Sequence, residues 1–135
     1  GVRFVQIYDA AIAWVQRLFR VIGSPAYPMD PALMQARARA AVERAWHPAG
    51  SARQMLAIMA DGDRSVLLPR IAVPTMVIHG HADPLVPVAC GRQLAEQIPG
   101  ARADFIEGMG HDLPVALLGR MADDIAAVAG LQPKG

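Results

Sequence analysis

The chain has 135 residues, which is long enough for one modest domain with a hydrophobic core. Hydrophobic residues make up 53% of the chain, yet no stretch approaches the roughly 18 to 20 consecutive apolar residues that a membrane span needs, so we expect no membrane partner. The net charge of +1 argues against a nucleic-acid partner, and the single cysteine, Cys90, excludes a disulfide framework and favours a reducing, cytoplasmic location.

The first 63 residues carry only helical patterns. Apolar residues recur at helical spacing over residues 3–22 and are followed by a Gly-Ser-Pro turn. Asp30 and Pro31 supply an N-cap and a first-turn proline for a second helix. Ser51 and the glutamine three residues later have the spacing of a capping box, which predicts a third helix. Residues 1–63 are therefore predicted to be a helical segment without a strand.

The pattern changes at Ile71. The segment "IAVPTMVIHG" is apolar at both odd and even positions, which predicts a strand buried on both faces. A helix is predicted over residues 88–97, a second strand in "ARADFIEG", and a final helix over about residues 113–129. Because a right-handed crossover makes successive strands parallel, residues 64–135 are predicted to form an α/β unit, with two parallel strands and flanking helices.

Candidate catalytic side chains follow both predicted strands. Asp83 follows the first strand, and His111 follows the second on a Gly-Met-Gly turn. Parallel strands bring their carboxyl ends to the same edge of a sheet, where functional loops of α/β proteins lie. A carboxylate there can fix the imidazole tautomer and stabilise the imidazolium that forms when the base takes a proton. Asp112 and Glu107 flank the histidine, but they are its neighbours in sequence rather than across the sheet.

Two motifs carry a resemblance to a known family. "HGHADPLVP" fits H-G-x-x-D-x-x-V-P over residues 79–87, and "GMGH" fits G-x-G-H over residues 108–111. With both motifs in this order, residues 64–129 resemble the C-terminal part of the α/β-hydrolase fold family, esterase-like branch. Residues 1–63 resemble, more loosely, the helical lid that this family inserts.

The resemblance implies a division of the chain and a chemistry. Residues 1–63 would be the lid, and residues 64–135 the C-terminal part of the hydrolase core. Asp83 would be the acid and His111 the base of a Ser-His-Asp triad that cleaves carboxylic esters. The same motifs also occur in epoxide hydrolases, dehalogenases, haloperoxidase-like enzymes and C–C bond hydrolases, which this chain does not separate.

The chain departs from the family at the nucleophile. The G-x-S-x-G elbow is absent, and none of the three serines, Ser24, Ser51 and Ser65, is predicted to lie on a strand-to-helix turn. The chain begins with Gly1 rather than methionine, so we expect it to start inside a larger protein. We therefore expect the nucleophile to lie outside this chain and the chain alone to be inactive.

An apolar small molecule is the expected substrate. Aromatic and thioether side chains are frequent in the helical segment, and apolar side chains flank both candidate catalytic residues. We expect a metal-free and cofactor-free site, because Pro84 follows the His-x-His-x-Asp string where a metallo-hydrolase would continue with another histidine. The predicted substrate-pocket residues are Trp14, Trp46, Met55, Leu85, Val86 and Met109.

A second interpretation belongs to a different class. Because the nucleophile is absent, the alternative to the hydrolase interpretation is a non-catalytic remnant or a binding module of the same fold. A sheet of two strands exposes backbone groups at its edges, which invites pairing with a missing N-terminal half or self-association.

Overall fold

A computed structural model describes residues 2–45 and 47–130 of the chain. These residues form two compact units. They are a helical unit, which comprises the residues up to Val21 with Asp30–Arg64, and a sheet unit, which comprises Ile22–Met29 with the residues from Ser65 onward. Residues 22–29, which the sequence-based division places in the lid, therefore pack with the sheet unit.

The chain begins with three helices. They are α1 (Val2–Ile22), α2 (Pro31–Arg44) and α3 (Pro48–Asp61). The predicted cap of α2 is confirmed, because Asp30 accepts hydrogen bonds from the amides of Ala32 at 2.9 Å and Leu33 at 3.0 Å. The predicted cap of α3 at Ser51 is wrong. This helix begins at Pro48, whose fixed φ suits the first helical position, so Ser51 lies inside the first turn.

The core of the helical unit is small and lies between α1 and α2. Its buried residues are Ala11, Ile12, Val15, Ala38 and Val42, and Tyr8 and Phe19 pack against them. By contrast, α3 has no buried residue, and Met55 and Met59 are 59% and 72% exposed. No helix in the described ranges is long and apolar enough to cross a membrane.

The sheet unit contains the predicted strand, helix, strand, helix order. Its elements are β1 (Met76–Gly80), α4 (Val88–Gln97), β2 (Arg102–Ile106) and α5 (Leu118–Val128), with short 3-10 helices at Ser65–Arg70 and Val115–Leu117. The strands are parallel, as predicted, with Ile78 opposite Asp104. The first strand is shorter than the predicted residues 71–80, because Pro74 has no amide hydrogen for a sheet.

The two helices of the sheet unit cover opposite faces of the strands. On one face, the His79 ring contacts Gly91 of α4, and Arg92 of α4 lies 5.4 Å from the Phe105 ring centre. On the other face, Ile106 packs with Met121 of α5. Successive strand residues point to opposite faces, so this alternation fixes the register. Both strands consequently end at one edge, from which the candidate loops emerge.

Candidate active site

Asp83 lies in the loop after β1 and is held there by a turn of its own. Its Oδ1 accepts hydrogen bonds from the amides of Leu85 at 2.8 Å and Val86 at 2.9 Å. Aspartate commonly organises turns in this way, because its carboxylate binds amides two or three residues further on. The side chain is only 6% exposed, and its second oxygen, Oδ2, is left for a more distant partner.

His111 is that partner. Its Nδ1 lies 2.7 Å from Oδ2 of Asp83, across the 28 residues that separate the two loops. Burial raises the pKa of Asp83, but hydrogen bonds from Val86, His111 and Leu85 outweigh burial and bring this pKa below its ordinary value. An ionised carboxylate only accepts hydrogen bonds, so Nδ1 of His111 carries the proton. In the neutral ring, Nε2 then has a lone pair with which to accept a proton.

The loop that carries His111, residues 107–112, is called the base loop. Its inner side contacts the start of the acid loop, residues 81–87. The amide of Ala82 donates to the carbonyl of Met109 at 2.9 Å, and next to it the amide of His81 donates at 3.0 Å to the carbonyl of Ile106, the last residue of β2. A Cβ on Gly80 would lie 2.2 Å from the Met109 carbonyl oxygen, so only glycine permits this approach.

The outer side of the base loop contacts residues 22–26. The amide of His111 donates to the carbonyl of Ile22 at 2.7 Å, and the amide of Gly110 donates to Oγ of Ser24 at 2.8 Å. The sequence predicts only a turn at "GSP", because these contacts join residues that lie 86 (Ser24 and Gly110) and 89 (Ile22 and His111) positions apart in the chain. No local pattern signals such a pairing, so the role of Ser24 was missed.

His79 supports the acid loop from beneath. Its Nε2 lies 2.9 Å from the carbonyl oxygen of Val86, which makes this nitrogen the donor. Nε2 is 3.9 Å from Oδ2 of Asp83, beyond hydrogen-bonding distance. The ring rests on α4, where a Cβ on Gly91 would lie 2.7 Å from Nδ1. His79 therefore holds the acid loop and leaves the carboxylate to His111.

An open cavity of about 330 Å³ lies beside the Asp83 and His111 pair. Of the predicted pocket residues, Val86 and Met109 line it. Leu85 is not among the lining residues, although its amide binds Asp83. The remaining lining residues are Ile78, His79, Gly80, Asp83, Gly110, His111, Asp112 and Leu113.

The other predicted pocket residues are elsewhere. Trp14 lines a different cavity, of about 480 Å³, inside the helical unit. Met55 is exposed on α3, and Trp46 lies outside the described residues. The structure therefore brings together Val86 and Met109, which were predicted from the two loops, beside Asp83 and His111.

The neighbouring acidic side chains have other partners. Asp112 accepts a hydrogen bond from the hydroxyl of Ser24, and Glu107 is 91% exposed with one oxygen 4.0 Å from Nδ1 of His81. Within residues 2–45 and 47–130, the structure contains no group of three or more His, Cys, Asp or Glu side chains arranged to hold a metal ion.

The chain is similar to known proteins in sequence and in fold. No protein-family model matches the chain. Over 64 residues, the chain is 44% identical to rhodomycin D methylesterase DauP of Streptomyces sp. (strain C5) and 42% identical to rhodomycin D methylesterase DnrP of Streptomyces peucetius. Each match covers 47% of this chain and 22% of the methylesterase.

Among solved structures, the chain is similar to a serine hydrolase involved in carbazole degradation, the CarC enzyme. The superposition has a TM-score of 0.69 at 20% identity and covers 90% of this chain and 48% of the enzyme. The chain has the fold of the C-terminal part of an α/β-hydrolase. It spans about half the length of CarC.

Proposed function

We propose that the chain is the lid and C-terminal portion of an α/β-fold serine hydrolase that cleaves carboxylic esters of apolar small molecules. The observation that supports this proposal best is the 2.7 Å contact between Nδ1 of His111 and Oδ2 of Asp83 at the carboxyl edge of the sheet. This geometry and chain order match those of the acid and base in a Ser-His-Asp triad. In the proposal, the serine lies on a segment outside these residues.

The proposed reaction follows from the tautomer of His111. Nε2 takes the proton of the serine hydroxyl as its oxygen attacks the ester carbonyl, and Asp83 stabilises the resulting imidazolium. The imidazolium then gives that proton to the departing alcohol, which leaves an acyl-enzyme. Water is deprotonated by the same nitrogen, attacks the acyl group and releases the carboxylic acid, with the serine proton restored.

The proposed substrate class rests on the cavity and on the relatives. Ile78, Val86, Met109 and Leu113 give the cavity an apolar lining, which suits an apolar acyl or alcohol group. The matched curated proteins are named as methylesterases, so a methyl ester is the first substrate to test. Epoxide hydrolases, haloperoxidase-like enzymes and C–C hydrolases share the acid and base motifs and are the alternative enzyme classes.

The test uses the protein encoded by the full reading frame that contains this chain. We expect it to hydrolyse apolar methyl esters, and we expect His111→Ala to lower kcat by at least about 10²- to 10⁴-fold, because general base catalysis is lost. His81→Ala is the matched control. This histidine also lies in the acid loop, but its Nδ1 lies 4.0 Å from a carboxylate oxygen of Glu107, whereas Asp83 pairs with His111. Full activity of His111→Ala would contradict the proposal. The 135-residue chain alone is expected to be inactive.

We also propose that the sheet continues into another segment of the same protein. The sheet in the described residues has two strands, so the outer edge of each strand has unpaired backbone groups there. A second copy of the chain is the alternative occupant of these edges. Light scattering on the isolated chain is expected to show association, and a monomer that unfolds cooperatively would contradict this proposal.

A further inference from the structure

Ser24 occupies an unusual position for a serine in a Gly-Ser-Pro turn. Ser24 is buried, with 5% of its surface exposed. Its hydroxyl donates to Oδ1 of Asp112, and its Oγ accepts a hydrogen bond from the amide of Gly110 at 2.8 Å. One hydroxyl therefore binds the residues on both sides of His111.

Backbone contacts on either side of Ser24 extend this attachment. The carbonyl of Ile22 accepts from the amide of His111 at 2.7 Å, and the amide of Ala26 donates to the carbonyl of Gly108 at 3.1 Å. A Cβ on Gly110 would lie 2.4 Å from the Gly23 carbonyl oxygen. Residues 22–26 thus contact the base loop at Gly108, Gly110, His111 and Asp112.

The partner of Asp112 matters because this carboxylate is adjacent to His111 in the chain. Two acidic residues are available in the cavity, and both line it. Ser24 binds Asp112, whereas His111 binds Asp83. Because the Ser24 hydroxyl binds the nearer carboxylate, Asp112, the imidazole of His111 pairs with the more distant one, Asp83. This pairing fixes the direction in which Nε2 points.

We propose that Ser24 and Asp112 form a positioning pair that holds His111 in its catalytic orientation. Neither residue exchanges a proton with substrate. This inference rests on the proposed function of His111 as the base, and it assigns the 22–26 segment a task that the triad motifs do not include.

The test compares variants of the protein encoded by the full reading frame. Ser24→Ala and Asp112→Ala are each expected to lower kcat by about 10- to 100-fold with KM changed less than about twofold, because a small displacement of the base slows proton transfer without weakening substrate binding. Asp112→Asn keeps an oxygen acceptor for the Ser24 hydroxyl and should retain most of the activity. Ser65→Ala, the same chemical change elsewhere in the sheet unit, is the matched control.

A second readout does not depend on activity. The Nδ1 proton of His111 should give a low-field NMR signal, which Ser24→Ala should broaden or shift and Ser65→Ala should leave in place. An unchanged signal and unchanged kcat in Ser24→Ala would overturn the positioning pair, and so would a loss of activity that disappears once rates are expressed per folded molecule.

The two readouts separate this inference from the proposed function. If His111→Ala remained active, the proposed function would fail, while the NMR signal would still report whether Ser24 orients the ring. If Ser24→Ala did not fold, Asp112→Ala and Asp112→Asn would provide the same comparison, and equal kcat values for these two variants would overturn the inference.

Discussion

The acid loop and the base loop hold their key side chains in different ways. Asp83 is fixed by amides two and three residues further along the same loop. The base loop is fixed by β1 and the acid loop on one side and by residues 22–26 on the other. A short motif can encode the first arrangement, whereas the second requires the folded chain. The base is therefore expected to be more sensitive to changes at remote positions.

The acid loop gives the largest expected effect. Asp83→Asn keeps an oxygen that can accept from the Leu85 and Val86 amides, but its amide cannot serve as an ionised partner for His111. We expect kcat of the complete protein to fall by about 10⁴-fold, with the fold retained by circular dichroism. Glu107→Gln, the equivalent change at a 91% exposed carboxylate, should leave kcat unchanged. A loss below tenfold would argue against Asp83 as the acid.

The base loop can be displaced without changing Asp83 or His111. In Gly110→Ala, the new Cβ would meet backbone carbonyl oxygens of Gly23 at 2.4 Å and Ile22 at 2.5 Å, which cannot rotate away. We expect a loss of about 3 kcal/mol or more in the free energy of unfolding, together with reduced kcat. Chemical denaturation measures the first and ester hydrolysis the second.

Gly119→Ala is the matched control for that substitution. Nothing lies within 4 Å of the position of its Cβ in α5, so the change should stabilise the protein by about 0.5–1 kcal/mol through helix propensity. Equal stabilities of the Gly110 and Gly119 variants would contradict the close approach of residues 22–23 to the base loop.

The support beneath the acid loop should give a smaller effect. Gly91→Ala would place a Cβ 2.7 Å from Nδ1 of His79, and a side chain can shift where a backbone cannot. We expect about 1–3 kcal/mol of destabilisation and a modest decrease in kcat as the bond from His79 to the Val86 carbonyl weakens. A variant as stable and active as the parent would show that the His79 ring does not support the acid loop.

Acid pH provides the smallest and most specific effect. The pKa of Asp83 is lower in the folded protein than its ordinary value of 3.8, so its ionised form stabilises the fold. This stabilisation is complete above the ordinary value and is lost as the pH falls through the lower, folded-state pKa. The stability difference between the parent and Asp83→Asn should therefore shrink as the pH is lowered below about 4. Denaturation curves at several pH values would measure this stability difference. A difference that stays constant with pH would contradict the lowered pKa of Asp83.

The sequence was informative where interactions are local. The Asp30 cap, the parallel strands and the two loops at one sheet edge follow from short-range patterns. The capping-box spacing predicts a start of α3 at Ser51, but the helix begins at Pro48, because proline suits the first helical position. The Ser24 contact with the base loop was not predictable, since it depends on residues 86 positions apart.

The predicted pocket residues also divide into those that local sequence specifies and those that only the folded chain specifies. Val86 and Met109 could be predicted because each lies within three residues of Asp83 or His111 in the sequence. Helical periodicity shows that Trp14 and Met55 lie on helices, but it does not specify which cavity a helical side chain enters. In the structure, Trp14 lines a cavity of its own unit and Met55 is 59% exposed, so their role in substrate binding stays a prediction.

The pairing of His111 with Asp83 rather than with the adjacent Asp112 is the central claim, and NMR of the complete protein tests it most directly. Selective labelling of histidine nitrogens would identify the Nδ1 proton of His111 in the parent, in Asp83→Asn and in Asp112→Asn. We predict that the low-field signal is lost in Asp83→Asn and retained in Asp112→Asn. A signal that survives in Asp83→Asn and disappears in Asp112→Asn would contradict the claim.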